Sequence, residues 1–307
     1  MKRIEPALKS DFHCHTLFSD GTLTPEELVE YALDKRRGLE LLAITDHDNM
    51  NGVVPATEHV RENNLPLVII PGIEISTTWK CGSCSFQIHI VGLSCRSNDE
   101  KLKKIMDFHS RIRDSQADLI GNRLVELFSI DPSVIGRMIA ELRERKTFVT
   151  RRHFSDFLQS HDLVSSNEEA FSKYLGSKGS AFFPVDFSAV EAAVDAIHSA
   201  GGVAILAHPF RYEKMHCSTL RKLADIFKQC GGDGIEAGSP QQKRQEKDFL
   251  RDLAQKYDFY CSFGSDFHSP GVPFRSLGSD LWLPEGVKPI WNHEKIAEYF
   301  ERTESQS

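Results

Sequence analysis

Short apolar runs that end in histidine or a carboxylate, each followed by a helical stretch, constrain this chain more than any other feature. ALKSDFHCHT leads into the first run. LELLAITDHD, NLPLVIIPGIEIS and FQIHIVGLS follow before residue 98, and VAILAHP, DGIEAGS and FYCSFGSDFHSP come after residue 200. Apolar runs of this length alternating with helices read as parallel strands covered by helices, an α/β architecture. In such folds the polar residues at the C-terminal ends of the strands build the site. One helix start is explicit. In TPEELVEYALDKRR, Thr24 is placed as N-cap, Pro25 at the first helical position and Glu27 at the capping-box position.

The alternation is interrupted once. From Asp99 to Arg145 helical periodicity dominates, and LGSKGSAFFP, ending at Pro184, reads as the link back. Residues 100–152 hold 12 Lys/Arg against 8 Asp/Glu, in a chain of net charge -7. The expected organisation is a first barrel part (1–98), an inserted, mainly helical and basic cap (99–184), a second barrel part (185–294) and a C-terminal tail (295–307) whose last segment, ERTESQS, is expected to fray. SAVEAAVDAIHSAGG, STLRKLADIFKQCGG and QEKDFLRDLAQKYD are the helices of the second part.

Composition removes several classes. The acidic balance argues against wholesale coating of nucleic acid while leaving room for a local basic cleft. No apolar run reaches the roughly 18 residues that cross a bilayer. MKRIEPALKS has basic residues but no apolar core behind them, unlike a secretory signal. The expectation is a soluble cytoplasmic protein with no membrane contact and no obligate protein partner. Seven cysteines at irregular spacing fit reduced thiols better than a disulfide framework. The CGSC at Cys81–Cys84 lies between two strand-like flanks and reads as a hairpin turn, since a single CxxC is a weak zinc signal.

Nine residues carry the chemistry: His13, His15, Asp20, His47, Glu74, His89, His208, Asp266 and His268. Each sits in a predicted strand or just beyond it. The other seven histidines fall mostly on helices or in loops. In a strand, residues i and i+2 face the same way, so His13 and His15 point together, and Asp266 and His268 repeat the spacing. A lone strand histidine is usually a hydrogen-bonded core residue, and a lone TDHD a solvated turn. Nine together would bury unpaired carboxylates and imidazoles, which is costly unless cations fill the cluster. Imidazole and carboxylate without an obligatory thiolate suit Mn, Fe or Zn, and the number of donors suits two or three ions. Adjacent cations acidify a shared water into a hydroxide nucleophile and neutralise phosphoryl oxygens, so the expected chemistry is phosphate-ester hydrolysis.

The segments DFHCHTLFSDGTLTPEELVEYA, LAITDHDNMNG, IPGIEIST, IHIVGL, LAHPFRY and GSDFHSP resemble, in order and spacing, the motif series of the PHP (polymerase and histidinol phosphatase) superfamily. The resemblance spans residues 11–97 and about 190–285. It implies a distorted (β/α)7, TIM-like barrel with a trinuclear metal site. VTRRHFSDFL in the cap, LAHPFRY, GSDFHSP and LWLPEGV resemble one bacterial branch of that superfamily. The branch holds a nucleoside 3′,5′-bisphosphate phosphatase and a 5′→3′ exoribonuclease of short RNA, ribonuclease AM. Carried over residue by residue, His13, His15, Glu74 and Asp266 hold the first ion. Glu74 bridges to a second, completed by His89 and His208, while Asp20, His47 and His268 hold the third. The ions implied are three divalent cations, Mn²⁺ first, with Fe²⁺ or Zn²⁺ as alternatives. Arg151 binds a substrate phosphate, with Arg211 and Lys178 as further contacts. Lys178 stands in the order SKG where the branch has GK. The implied substrates are nucleotides or short single-stranded RNA.

Three other readings compete. An amidohydrolase acting on C–N bonds usually needs a bridging strand lysine, and none stands at these strand ends. A non-catalytic module, as in some DNA polymerases, loses ligands that this chain keeps. A histidinol-phosphatase-like or other small-molecule phosphatase would not call for a basic cap.

Overall fold

The structure, a computed structural model, describes residues 3–4, 6, 8–240, 242–271, 275–279 and 281–304. Strand β1 (Arg3–Ile4) precedes β2 (Ser10–Cys14). Helix α1 (Pro25–Leu33), β3 (Leu41–Ile44), α2 (Val53–Glu62) and the hairpin of β4 (Val68–Cys81) and β5 (Cys84–Leu93) follow. Next come α3 (Glu100–Phe128), α4 (Pro132–Glu144), α5 (Arg151–Ser160) and α6 (Asn167–Ala170), which runs into a π-helical turn at Phe171–Leu175. The alternation resumes with α7 (Val190–Ser199), β6 (Val203–Leu206), α8 (Cys217–Gln229), β7 (Gly234–Gly238), α9 (Arg244–Tyr257) and β8 (Tyr260–Phe263). Strands β9 (Leu283–Pro284) and β10 (Lys288–Pro289) and helix α10 (Glu294–Glu304) end the described chain.

Strands run β10-β8-β7-β6-β5-β4-β3-β2 in one sheet. All neighbours are parallel except β4 with β5 and β5 with β6. The sheet closes on itself just past β8. There Asp266 N donates to His13 O at 2.9 Å and His15 N to Phe267 O at 2.9 Å. Closure needs close backbone approach, and Gly264 supplies it: a Cβ there would lie 2.2 Å from His13 Cβ. Strands β2 to β8 thus form the seven-stranded α/β barrel expected. Its distortion is the β4–β5 hairpin, which replaces a crossover helix and forces two antiparallel pairs.

Local signals explain the elements. Thr24 Oγ1 accepts from Glu27 N at 3.1 Å and Glu27 Oε2 from Thr24 N at 2.9 Å, so the capping box forms as read. Strands β2, β3, β6 and β7 are buried at every position, as strands with side chains both inside the barrel and under helices must be. Between α3 and α4, Ser129 is left-handed (φ 52°), Asp131 is the N-cap and Pro132 the first helical residue.

Two apolar cores exist among the described residues. One fills the barrel and its outer helices. The other runs from Ala117 to Ala181 within the helical insert. Helix α3 serves both: Leu102 packs in the barrel core, while Ile120 and Leu124 pack in the second. One expectation is corrected. The chain is helical from Glu294 to Glu304, with Ile296 and Tyr299 buried in the barrel core, so the first four residues of ERTESQS are helical where fraying was expected. Residues 305–307 lie outside the described set. No described helix is long and apolar enough to cross a membrane.

Candidate metal centre at the barrel mouth

All nine predicted donors meet at one end of the barrel, around Glu74. From β2, His13 Nε2 lies 3.3 Å from Glu74 Oε1 and 3.2 Å from His15 Nε2. His15 Nε2 is 3.4 Å from Glu74 Oε2 and 3.1 Å from Asp266 Oδ1. On the other side, His89 Nδ1 is 3.0 Å and His208 Nε2 2.8 Å from Glu74 Oε1, and His47 Nδ1 is 2.9 Å from Glu74 Oε2. Asp20 Oδ1 faces His268 Nε2 at 3.3 Å and His47 Nε2 at 3.7 Å. Three overlapping groups of donor atoms each lie within 4.8 Å: His15/Asp20/His47/His268, His13/His15/Glu74/Asp266 and His47/Glu74/His89.

The backbone beneath these donors is unusual. Asp48, His208 and Asp266, each just past a strand end, are left-handed at φ 53°, 27° and 53°. Non-glycine residues rarely adopt this region and concentrate at functional sites when they do. Asp48 N donates to Glu74 O at 2.9 Å, which locks the turn after β3 onto β4.

The outer atoms of several imidazoles are already committed. His13 Nδ1 meets Glu236 Oε1 at 2.7 Å, and His268 Nδ1 donates to Asp266 O at 2.8 Å. His15 Nδ1 meets Ser19 Oγ at 3.3 Å, and that hydroxyl donates to the buried Asp46 at 2.7 Å. These contacts leave three Nε2 atoms directed into the cluster, as metal-ligating histidines present them.

Charge in the cluster is divided unevenly. Burial pushes Glu74 up, but His47, His89 and His13 together hold its carboxyl well below the usual carboxylate range. Burial acts likewise on Asp20, and His268 and His47 outweigh it. Burial, with the facing His268, lowers His15 to about 3, whereas Glu74 and Asp20 overcome burial and raise His47 to about 9. Ionised carboxylates and a neutral imidazole are the forms that bind cations.

A direct test of fit comes from pairing. Asp20 Oδ1, Glu74 Oε2, His47 Nδ1 and His208 Nδ1 are buried without a hydrogen-bond partner. His47 Nδ1 and Glu74 Oε2 lie 2.9 Å apart yet are not aligned to hydrogen-bond. Buried polar atoms left so are costly, and divalent cations satisfy them. The donor set, nitrogen and oxygen without thiolate, fits such ions.

A cavity of about 130 Å³ is lined by Asp20, His47 and His89 and also by Arg113, Arg151 and Arg152. Arg151 begins α5; burial and the charge of Arg113 lower its pKa. Arg152 is paired with Asp156 at 3.0 Å. The two other predicted phosphate contacts are not among the residues that line this cavity. Arg211 reaches Asp266 and donates to Ser239 Oγ at 2.9 Å. Lys178 is exposed and is not among the cavity's lining residues.

Sequence reasoning missed a supporting layer. Glu236 sits buried in β7 and also accepts from His208 N at 2.6 Å. Asp48, fully buried, accepts from His109 Nδ1 at 2.7 Å, Arg113 Nε at 2.8 Å and Ser76 N at 2.7 Å. His109 and Arg113 are four apart on α3, a spacing that shares a helix face and was the available signal. Nothing comparable marked Glu236.

Comparison with known proteins agrees with this geometry. The PHP domain family matches residues 11–176. The 5′-3′ exoribonuclease Rnm of Escherichia coli K12 is 39% identical over 281 residues, 92% of each chain. The 3′,5′-nucleoside bisphosphate phosphatase of Chromobacterium violaceum is 31% identical, covering 92% of this chain and 94% of that protein. A solved structure of a C. violaceum protein described as an amidohydrolase, with bound sulfate and no metal, superposes with a TM-score of 0.80. It is 29% identical and covers 97% of this chain and 96% of that one. Barrel, donor chemistry and relatives together define a metal-dependent phosphoesterase. The chain belongs to the PHP domain family.

Proposed function

We propose that this protein hydrolyses phosphate esters of nucleotides, removing the 3′-phosphate of nucleoside 3′,5′-bisphosphates, trimming short 5′-phosphorylated RNA in the 5′→3′ direction, or both. The observation that carries the substrate reading is the cavity that Arg151 lines together with the donors Asp20, His47 and His89. Arginine forks fit phosphate oxygens, and the two other arginines of the lining are already paired, Arg113 with Asp48 and Arg152 with Asp156. The two nucleotide-directed relatives support the same reading.

In this reading His13, His15, Glu74 and Asp266 would hold one cation, Glu74 with His89 and His208 would hold a second, and Asp20, His47 and His268 would hold a third. Mn²⁺ is the first choice, with Fe²⁺ or Zn²⁺ as alternatives. When bound, such ions polarise the phosphoryl group and make water acidic enough to supply the nucleophile near neutral pH. The chain's own residues do the rest. Arg151 holds a phosphate oxygen and orients the ester toward the donors. Arg113, fixed by Asp48, lines the same cavity. Glu236 and Ser19 keep His13 and His15 turned inward. Arg211 and Lys178 are secondary contacts, since Arg211 is engaged with Asp266 and Lys178 lies outside the cavity lining.

The helical insert, residues 99–184, acts as a cap over the barrel parts 1–98 and 185–294, a division supported by its separate core. A cytoplasmic location belongs to the same reading and is supported by seven free thiols. An amidohydrolase is disfavoured because no lysine stands at the strand ends that carry the nine donors.

The test uses Mn²⁺-loaded protein on adenosine 3′,5′-bisphosphate and on a short 5′-phosphorylated RNA, with His13→Ala alongside and products resolved by chromatography. Inorganic phosphate from the first marks the phosphatase, and stepwise mononucleotides from the second mark the exoribonuclease. Both substrates left intact by protein with demonstrated bound metal would refute the nucleotide reading.

A further inference from the structure

The CGSC segment is used by no part of the hydrolytic site. Strands β4 and β5 pair without a break from Gly72 opposite Leu93 to Cys81 opposite Cys84, so the two cysteines form the last rung of the hairpin. Between them Gly82 has φ +61°, and Ser83 is not left-handed. This is the pattern of a two-residue turn with glycine first. A side chain at Gly82 would meet nothing within 4 Å, so the tip is open. Residues directly opposite each other in an antiparallel pair project on one face, with Cα atoms about 4.5–5.5 Å apart. That range lies inside the roughly 4.4–6.8 Å a disulfide spans. Two rungs inward, on the same face, stand Trp79 and Phe86, their ring centroids 5.4 Å apart.

Access separates these thiols from the core ones. Cys84 is exposed and Cys81 half-buried, and both are free. Cys14, Cys95 and Cys261 are buried, and burial pushes Cys95 and Cys261 up to about 12. Exposed Cys217, at the start of α8, provides a comparison without the hairpin's geometry.

We propose that Cys81 and Cys84 are a reversible dithiol–disulfide pair that exchanges with low-molecular-weight disulfides. The Cys84 thiolate attacks one sulfur of the small disulfide and expels one small thiolate, leaving a mixed disulfide. The Cys81 thiolate then attacks the Cys84 sulfur and expels the second. One small disulfide and two protein thiols become one protein disulfide and two small thiols, with two electrons passing to the small molecule. So short a loop removes little unfolded-chain entropy, and an exposed bond is readily reduced, so the pair is a switchable site rather than a staple. Its position gives it reach. Thr78 N donates to Ser188 O at 3.0 Å, and Phe187 N donates to Thr78 Oγ1 at 2.9 Å. Oxidation braces the outer end of the hairpin that carries Glu74 and His89, beside the link returning from the helical insert.

The experiment equilibrates the full chain with graded ratios of oxidised to reduced glutathione, quenches in acid and maps masses by peptide. The peptide spanning 81–84 is expected to lose two hydrogens, reversibly with the ratio, while the fluorescence of the adjacent Trp79 is quenched in step. Cys81→Ser should halt at a glutathione adduct on Cys84, and Cys84→Ser should leave the hairpin unoxidised. A glutathione adduct persisting on Cys84 in the unsubstituted chain overturns the proposal. So does an unchanged hairpin while Cys217 is glutathionylated, which shows that the oxidant worked.

Discussion

Glu236 has both carboxylate oxygens committed, one to the His13 ring and one to the backbone of His208, a left-handed residue. It therefore orients two donors from the strand between β6 and β8. Glu236→Gln keeps an acceptor for His13 but can turn an amide hydrogen toward His208 N–H, two donors face to face. Losses of this kind cost about 10- to 100-fold in metal affinity. Bound metal measured after dialysis against a weak chelator should fall by that order, and wild-type retention would remove Glu236 from the site. Arg151→Gln removes a charge-assisted bond to phosphate worth about 1.5–3 kcal/mol. A rise of roughly 10- to 100-fold in KM for adenosine 3′,5′-bisphosphate is expected, with metal content unchanged. An unaltered KM would mean the phosphate lies elsewhere. The donors of the cluster were legible because period-two spacing and strand-end position single them out. Glu236 was not, since one acid inside an apolar strand reads as an ordinary strand residue until its partner 223 positions away is seen.

Helix α3 is docked onto the barrel by a buried ion pair. Asp48 is fully buried and Arg113 nearly so, with His109 completing the group. Burial pushes the Asp48 carboxyl up, but Arg113 and then His109 hold it far below its ordinary value. Its folded pKa being depressed, its contribution to stability is whole above the unfolded value near 4 and declines as the pH falls toward the folded one. Asp48→Asn strands a buried guanidinium, at a cost of about 3–5 kcal/mol. Urea unfolding should show the full deficit from about pH 5 to pH 7, narrowing only below about pH 4. A deficit that grows on acidification would contradict the pairing. The elements themselves were largely readable, because capping residues and breaks are local: Thr24, Pro25 and Pro132 mark what forms. The sharing of α3 was not readable. Its periodicity fixes which residues share a face, but not that Leu102 and Leu124 enter different cores. The helix from Glu294 was missed because its anchors, Ile296 and Tyr299, are buried by strands distant in sequence.

At the scale of the molecule, arginines of a basic insert and donors of an acidic chain line one cavity, and the charge asymmetry was visible before the fold. The two cores make the consequence separable. Cations that bind only the folded barrel stabilise it by mass action, about 2.7 kcal/mol at a hundredfold excess over Kd. Chelated protein should therefore melt several degrees lower than protein with Mn²⁺ restored. Glu74→Gln should lose most of that increment, because Glu74 lies within 3.4 Å of His13, His15, His47, His89 and His208 alike. Leu124→Ala opens the second core and should lower stability by about 2–5 kcal/mol. The Mn²⁺ increment should survive in that variant, since Leu124 lies in the core that contains none of the donors. If Leu124→Ala also removed the increment, the insert would be part of the cation site's own fold, and the barrel could not be regarded as building the metal centre by itself.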